Sequence, residues 1–145
     1  MTLEEIQENW KQDCIIDDNH LDRESVRTPV LHSKYLNLLI SYKHRITSAQ
    51  SEYNSMRVKK FRYYRGEMTK GELELAGWEQ WQGIKPLRNE MDEFLNGDAD
   101  LIKAKLKIEY LSSIQELLES ILQQIKSRDW IIRNSLEWKK FVSGA

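Results

Sequence analysis

The sequence predicts an all-α protein. Three observations carry that reading. Glycine and proline are scarce, at six and two in 145 residues. Charged residues make up 31% of the chain beside 40% hydrophobic, the balance of solvated helices with one buried face. Two long stretches repeat their apolar residues at alternating steps of three and four, the helical period. The expected architecture is a short N-terminal helix, a long central helix, short helices within 67–96 and a long C-terminal amphipathic helix.

Each element has its own signals. "TLEE" forms a capping box, with Thr2 as cap and Glu5 three residues on. Leu3, Ile6 and Trp10 then share one face, which predicts a helix from Leu3 to Gln12. "DDNH" breaks the pattern and offers N-caps for the next helix. Pro29 marks a start or a kink. From there Leu31, Tyr35, Leu38, Tyr42, Ile46, Ala49, Tyr53 and Met56 form a near-heptad seam, with neither Gly nor Pro between Val30 and Arg65. Such a helix is about 54 Å long at about 1.5 Å per residue, so the chain is expected to be elongated or to pack against copies of itself. Gly66 is the stop signal.

The next segment is punctuated by Gly66, Gly71, Gly77, Gly83, Pro86 and Gly97. Thr69 and Glu72 form a second, weaker capping box, and Trp78 and Trp81 have helical spacing and are expected to pack. "PLRNEMDEFLNG" predicts a helix from Pro86 to Leu95, with Pro86 in its first turn. The last helix is expected from Asp100 to Phe141. Leu101, Ala104, Ile108, Leu111, Gln115, Leu118, Leu122, Ile125, Asp129, Ile132 and Leu136 alternate three and four, and Ile114, Leu117, Ile121 and Ile131 widen the stripe. A face this wide suits a larger helical assembly, with Leu111, Leu118, Leu122, Ile125, Ile132 and Leu136 as the oligomerisation residues. The core of a monomeric bundle is the other reading of the same stripe.

Composition excludes several classes. Cys14 is the only cysteine, so an intramolecular disulfide or a two-cysteine metal motif is impossible, and a reducing compartment is expected. The acidic start has no signal-peptide pattern, and no apolar run approaches the roughly 18 residues of a membrane span. No phosphate loop, zincin motif, nucleophile elbow or dinucleotide fingerprint occurs. His20, His32 and His44 lack ligand spacing. The chain is therefore expected to have no catalytic residues, no metal and no cofactor.

The near-neutral total conceals charge segregation. Residues 29–65 hold eight bases and one acid, whereas residues 1–28 and 66–100 are strongly acidic. The basic block peaks in "RVKKFRYYR", where Arg57, Lys59, Lys60, Arg62 and Arg65 interleave with Phe61, Tyr63 and Tyr64. Cations bind phosphates and rings stack on bases, so this stretch is a candidate single-strand DNA interface with Arg57, Lys59, Lys60, Arg62, Tyr63, Tyr64 and Arg65 as its contacts. The rings can equally finish the hydrophobic seam, and Phe61 is expected to do so. The apolar seam extended by one step falls on Lys60. A charge there cannot enter a core without paired acids, so this helix end is expected to face solvent or a polyanion.

Five pieces of the chain, in order and at matching spacing, add a resemblance. "MTLEEIQENWKQDCIID", "LHSKYLN", "YYRG", "LNGDADLIKAKLKIEYL" and "IKSRDWIIRNSLEWKKFVSGA" are similar to the corresponding parts of the UvsY family of recombination mediators of T4-like phages. The resemblance implies an all-helical subunit that assembles through its C-terminal helix into a ring-like homo-oligomer, a hexamer or heptamer. It implies single-stranded DNA, the phage recombinase and the phage single-strand binding protein as partners, no membrane, and the cytoplasm of the infected bacterial host as location. It implies a mediator that loads the recombinase onto strands covered by the binding protein. It also places the family's DNA-contacting basic pair on Val58 and Lys60. Only Lys60 keeps the charge, so Arg57, Lys59 and Arg62 are the neighbours able to compensate. Residues 1–100 are then expected to be a DNA-binding domain and residues 101–145 the oligomerisation helix. A structural coiled-coil or assembly adaptor without nucleic-acid binding is the rival reading.

Overall fold

The computed structural model describes residues 1–144, and every regular element among them is an α-helix. The helices are α1 (Leu3–Asp13), α2 (Leu21–Tyr64), α3 (Lys70–Ala76), α4 (Met91–Asn96), α5 (Ala99–Lys126) and α6 (Arg128–Val142). They form two compact units. The first combines residues 1–44 with the chain from Ser112 onward, and the second spans Arg45–Leu111. Both α2 and α5 contribute to each unit, so the compact units do not divide at residue 100.

In the first unit, α1 begins with the expected capping box. Thr2 Oγ1 accepts from the Glu5 N–H at 3.2 Å, and Glu5 accepts from the Thr2 N–H at 2.7 Å. Ile6 is fully buried, and Trp10 meets Tyr35 edge-on at 5.5 Å. Asp13, at the end of α1, accepts from the Tyr35 hydroxyl at 2.8 Å and pairs with Lys34 at 2.6 Å and Arg27 at 3.2 Å. Burial alone would raise the Asp13 pKa, but the bonds from Lys34 and Tyr35 outweigh it and hold the carboxyl below its usual range. The core of the unit buries Leu31, Tyr35, Leu39 and Tyr42 of α2 together with Ile114, Leu118, Ile121 and Ile125 of α5 and Ile132 of α6.

Of the two starts the sequence offers for the long central helix, the one directly after "DDNH" is taken, and the C-terminal helix carries a bend that its spacing does not predict. Helix α2 starts at Leu21, and Pro29 lies inside it. Proline removes the N–H that would reach the Ser25 carbonyl, and the adjoining turn is held by other bonds: Thr28 Oγ1 donates to the Glu24 carbonyl at 3.4 Å and Arg128 donates to the same oxygen at 2.9 Å. The single C-terminal helix is instead α5 and α6, interrupted at Ser127. Ser127 donates its hydroxyl to the Gln123 carbonyl at 3.3 Å and its N–H to the Gln124 carbonyl at 3.1 Å. This tightens the turn and bends the helix. The bend takes Asp129 out of the seam to solvent and puts Arg128 in the interior.

In the second unit, α2 ends in a Schellman motif. Gly66 has φ +71°, its N–H reaches the Tyr63 carbonyl at 3.0 Å, and the Glu67 N–H reaches the Arg62 carbonyl at 3.0 Å. Thr69 caps α3 through the Glu72 N–H at 3.2 Å. Gly77 closes α3 in the same left-handed conformation, so Trp78 and Trp81 lie on a loop and not on a helix. The expected helix from Pro86 starts only at Met91. Glu90 accepts from the Leu87 N–H at 3.2 Å, and the Glu90 N–H returns to the Leu87 carbonyl at 2.9 Å, which makes a turn of residues 87–90. Tyr64, Met91, Leu95 and Leu101 form the core of the unit, ringed by Tyr53, Met56, Tyr63, Trp81 and Phe94.

Candidate nucleic-acid interface

The basic stretch closes α2 inside the second unit, and its residues divide into two sets. Lys60 is the centre of the buried set. Its ammonium lies 3.2 Å from Asp98 and 2.9 Å from Asp100, and its side chain is only 7% exposed. The indole of Trp78 covers it at 4.0 Å. Asp98 also accepts from the Tyr64 hydroxyl at 2.6 Å and caps α5 through the Asp100 and Leu101 N–H groups, each at 3.0 Å. Burial would raise the Asp98 pKa, but the bonds from Tyr64, Leu101 and Lys60 prevail and hold it below its usual value. Burial first, and then the same carboxylate, push the Tyr64 phenol well above its ordinary range.

Lys60 and Tyr64 are therefore buried within the subunit, whereas the sequence leads to the expectation that this helix end faces solvent or a polyanion. The seam does reach Lys60, and the two acids a buried cation requires arrive from "GDAD". Tyr63 is also committed. Its hydroxyl donates to the Glu79 carbonyl at 2.6 Å, and its ring packs edge-on with Trp78 at 5.5 Å.

The second set is Lys59, Phe61 and Arg65, which are exposed together with Val58, and the half-buried Arg57 and Arg62; contrary to expectation, Phe61 does not finish the apolar seam. Lys59 has no ion-pair partner among the described residues. Arg57 pairs with Asp92 at 3.1 Å, Arg65 with Glu67 at 3.0 Å and Arg62 with Glu72 at 2.6 Å. The Glu72 bond lifts the Arg62 pKa and lowers that of Glu72. Surface pairs of this kind are screened by solvent and weak, so a phosphate can replace the carboxylate at little cost. The Arg65 guanidinium rests on the Phe61 ring at 5.6 Å.

Beside this face runs an open groove of about 1210 Å³. One wall is Arg57, Val58 and Phe61 of α2 with Arg65 just past its end, and the other is the loop carrying Lys85, Leu87 and Arg88. Lys85 and Arg88 are exposed, and sequence reasoning misses them. They lie in a block of nine acids, and only the fold brings them opposite α2.

Comparison with known proteins decides what kind of chain this is. Residues 9–145 match the family model described as "Recombination, repair and ssDNA binding protein UvsY". The chain belongs to the UvsY family. It is 26% identical over 144 residues to the "Recombination protein uvsY" of Enterobacteria phage T4, covering 99% of both chains. Two crystal structures of the T4 recombination mediator UvsY have the same fold. One has a TM-score of 0.83 at 25% identity, covering 99% of this chain and 98% of that one. The other has a TM-score of 0.80 at 26% identity, covering 97% and 98%. The resemblance read from five sequence pieces is thus a family membership spanning the whole fold.

The expected oligomerisation residues are also split by the UvsY fold. Leu118, Leu122, Ile125 and Ile132 are buried in the first unit and Leu111 is buried in the second, whereas Leu136 is exposed. The seam of α5 thus fills the subunit's own core. On α6, Trp130 and Trp138 are each 65% exposed and Phe141 is 73% exposed, with Trp138 and Phe141 stacked at 5.7 Å. No helix among the described residues is long and apolar enough to cross a membrane.

Proposed function

We propose that this protein is a recombination mediator that binds single-stranded DNA and loads a phage recombinase onto strands covered by single-strand binding protein. The observation that carries this reading is the face at the end of α2 where Arg57 and Arg65, one turn to either side, flank the accessible ring of Phe61, in a chain of the UvsY family. One such face offers few phosphate contacts and binds weakly. A ring-like homo-oligomer repeats it, and linked sites raise avidity without any new contact. A strand drawn across several copies is strained against the binding protein and freed for the recombinase.

Assembly through the C-terminal helix fits α6, which presents Trp130, Leu136, Trp138 and Phe141 to solvent. Exposed aromatic residues on one short helix are unfavourable in water and are typical anchors of interfaces. Trp138→Ala with Phe141→Ala is expected to lower the mass seen by light scattering. It should also weaken single-strand binding although no cation has changed. An unchanged mass would refute assembly through this face.

Titration of a labelled single strand at two salt concentrations separates the mediator from a coiled-coil adaptor. The mediator binds at low salt and weakens steeply as salt rises. Absence of binding at both concentrations would sink the proposal.

A further inference from the structure

We infer that the loop carrying Lys85 and Arg88 is the second jaw of a single-strand clamp, with the phosphate backbone held between this loop and the end of α2. The inference rests on the proposed DNA-binding reading and adds to it a site on a different segment. The charge distribution in the groove leads to it. Of its four cations, the two at the end of α2, Arg57 within it and Arg65 just after it, are already matched, by Asp92 at 3.1 Å and by Glu67 at 3.0 Å. Lys85 and Arg88 have no ion-pair partner among the described residues. The groove's uncompensated positive charge therefore resides on the loop and not on the helix that looks basic in sequence.

The loop is held in place rather than free to wander. The Trp81 indole N–H donates to the Ile84 carbonyl at 3.2 Å. A Cβ at Gly83 would fall 2.4 Å from that indole, so only glycine lets the chain pass so close to it. Trp81 is itself locked edge-on against Tyr64 at 4.9 Å. The Lys85 stem lies over Gly66, where a Cβ would be 3.2 Å from Lys85 Cε. The αL glycine that ends α2 thus also seats the opposing cation.

The ligand chemistry follows. Two unmatched cations across an open groove from a partly exposed phenyl ring suit a phosphodiester chain whose bases are unpaired and can stack. Duplex DNA keeps its bases stacked inside and has no use for Phe61.

The test uses the full-length protein, a labelled oligothymidylate and a duplex of equal length. Lys85→Ala with Arg88→Ala should make the single-strand salt slope shallower by about 1.4, about 0.7 for each phosphate left without its cation. The deficit relative to wild type should therefore shrink about sevenfold between 50 and 200 mM salt. Lys85→Arg with Arg88→Lys should restore the slope. Phe61→Leu should weaken single-strand binding about tenfold and leave duplex binding unchanged. Far-UV circular dichroism confirms that each variant is folded. A wild-type slope in the Lys85/Arg88 variant overturns the clamp and leaves the DNA-binding reading standing. A wild-type protein that binds no single strand overturns both.

Discussion

Lys60→Ala is expected to destabilise the unit of residues 45–111 by about 3 kcal/mol, because removing one member of a buried ion pair leaves the other charged in a dry site. Asp98 would keep its bonds from Tyr64 and from the first N–H groups of α5 but be without its counter-charge, and the Trp78 ring would no longer cover a cation. Chemical denaturation should show a lower midpoint. Lys60→Met with Asp98→Asn should recover much of the stability, because removing both charges removes the penalty as well as the attraction. The pH dependence carries a fixed sign. The folded-state pKa of Asp98 is depressed below 3.8, so its contribution is fully present above about pH 4 and is lost as pH falls through the folded value. Wild type should lose stability below about pH 4 more steeply than Asp98→Asn, which has nothing there to protonate. Equal acid sensitivity would remove Asp98 from this role.

Arg128→Ala is expected to have an effect of similar size, about 3 kcal/mol, in the other unit. The Arg128 side chain is 3% exposed and joins α6 to the start of α2. Its Nη2 donates to the Glu24 carbonyl at 2.9 Å and to the Glu24 carboxylate at 3.0 Å, and its Nε donates to Thr28 Oγ1 at 3.0 Å. Arg128→Lys should rescue little, since a single ammonium cannot reproduce a planar fork that spans two residues one helical turn apart. The bend at Ser127 is tied to the same interaction, because it turns Arg128 inward. A denaturation midpoint for Arg128→Lys equal to wild type would show that the charge matters and the fork does not.

These two residues also mark where the sequence is legible. Helix class, the capping box at Thr2, the stop at Gly66 and the basic end of α2 are local properties, written in spacing and turn chemistry. The start of α2 is left open between "DDNH" and Pro29, because nothing local says whether the helix runs through the proline, and the turn before it is held in part by Arg128, about a hundred residues away. The break at Ser127 is hidden because the three-four alternation continues through it with Asp129 in register. In the fold the inward position passes to Arg128. Lys60 reads as exposed because its acids, Asp98 and Asp100, lie about forty residues away and "GDAD" gives no sign of which cation it meets. Lys85 and Arg88 are masked by surrounding acids whose charges are matched elsewhere, Asp92 by Arg57 and Asp98 by Lys60. The α5 seam reads as an assembly face although it fills the subunit, since apolar periodicity reports burial without saying what covers it.

The central claim is that the cations at the surface of the second unit meet DNA while Lys60 holds that surface together. The decisive measurement is the single-strand salt slope of two full-length variants beside wild type, each first shown to be folded. Arg57→Ala with Lys59→Ala and Arg65→Ala should lower the slope by about 2, near 0.7 for every phosphate that is no longer neutralised. Lys60→Met with Asp98→Asn should keep the wild-type slope. A normal slope in the triple variant, together with a reduced one in the Lys60 variant, would contradict the account and return Lys60 to the DNA-binding surface.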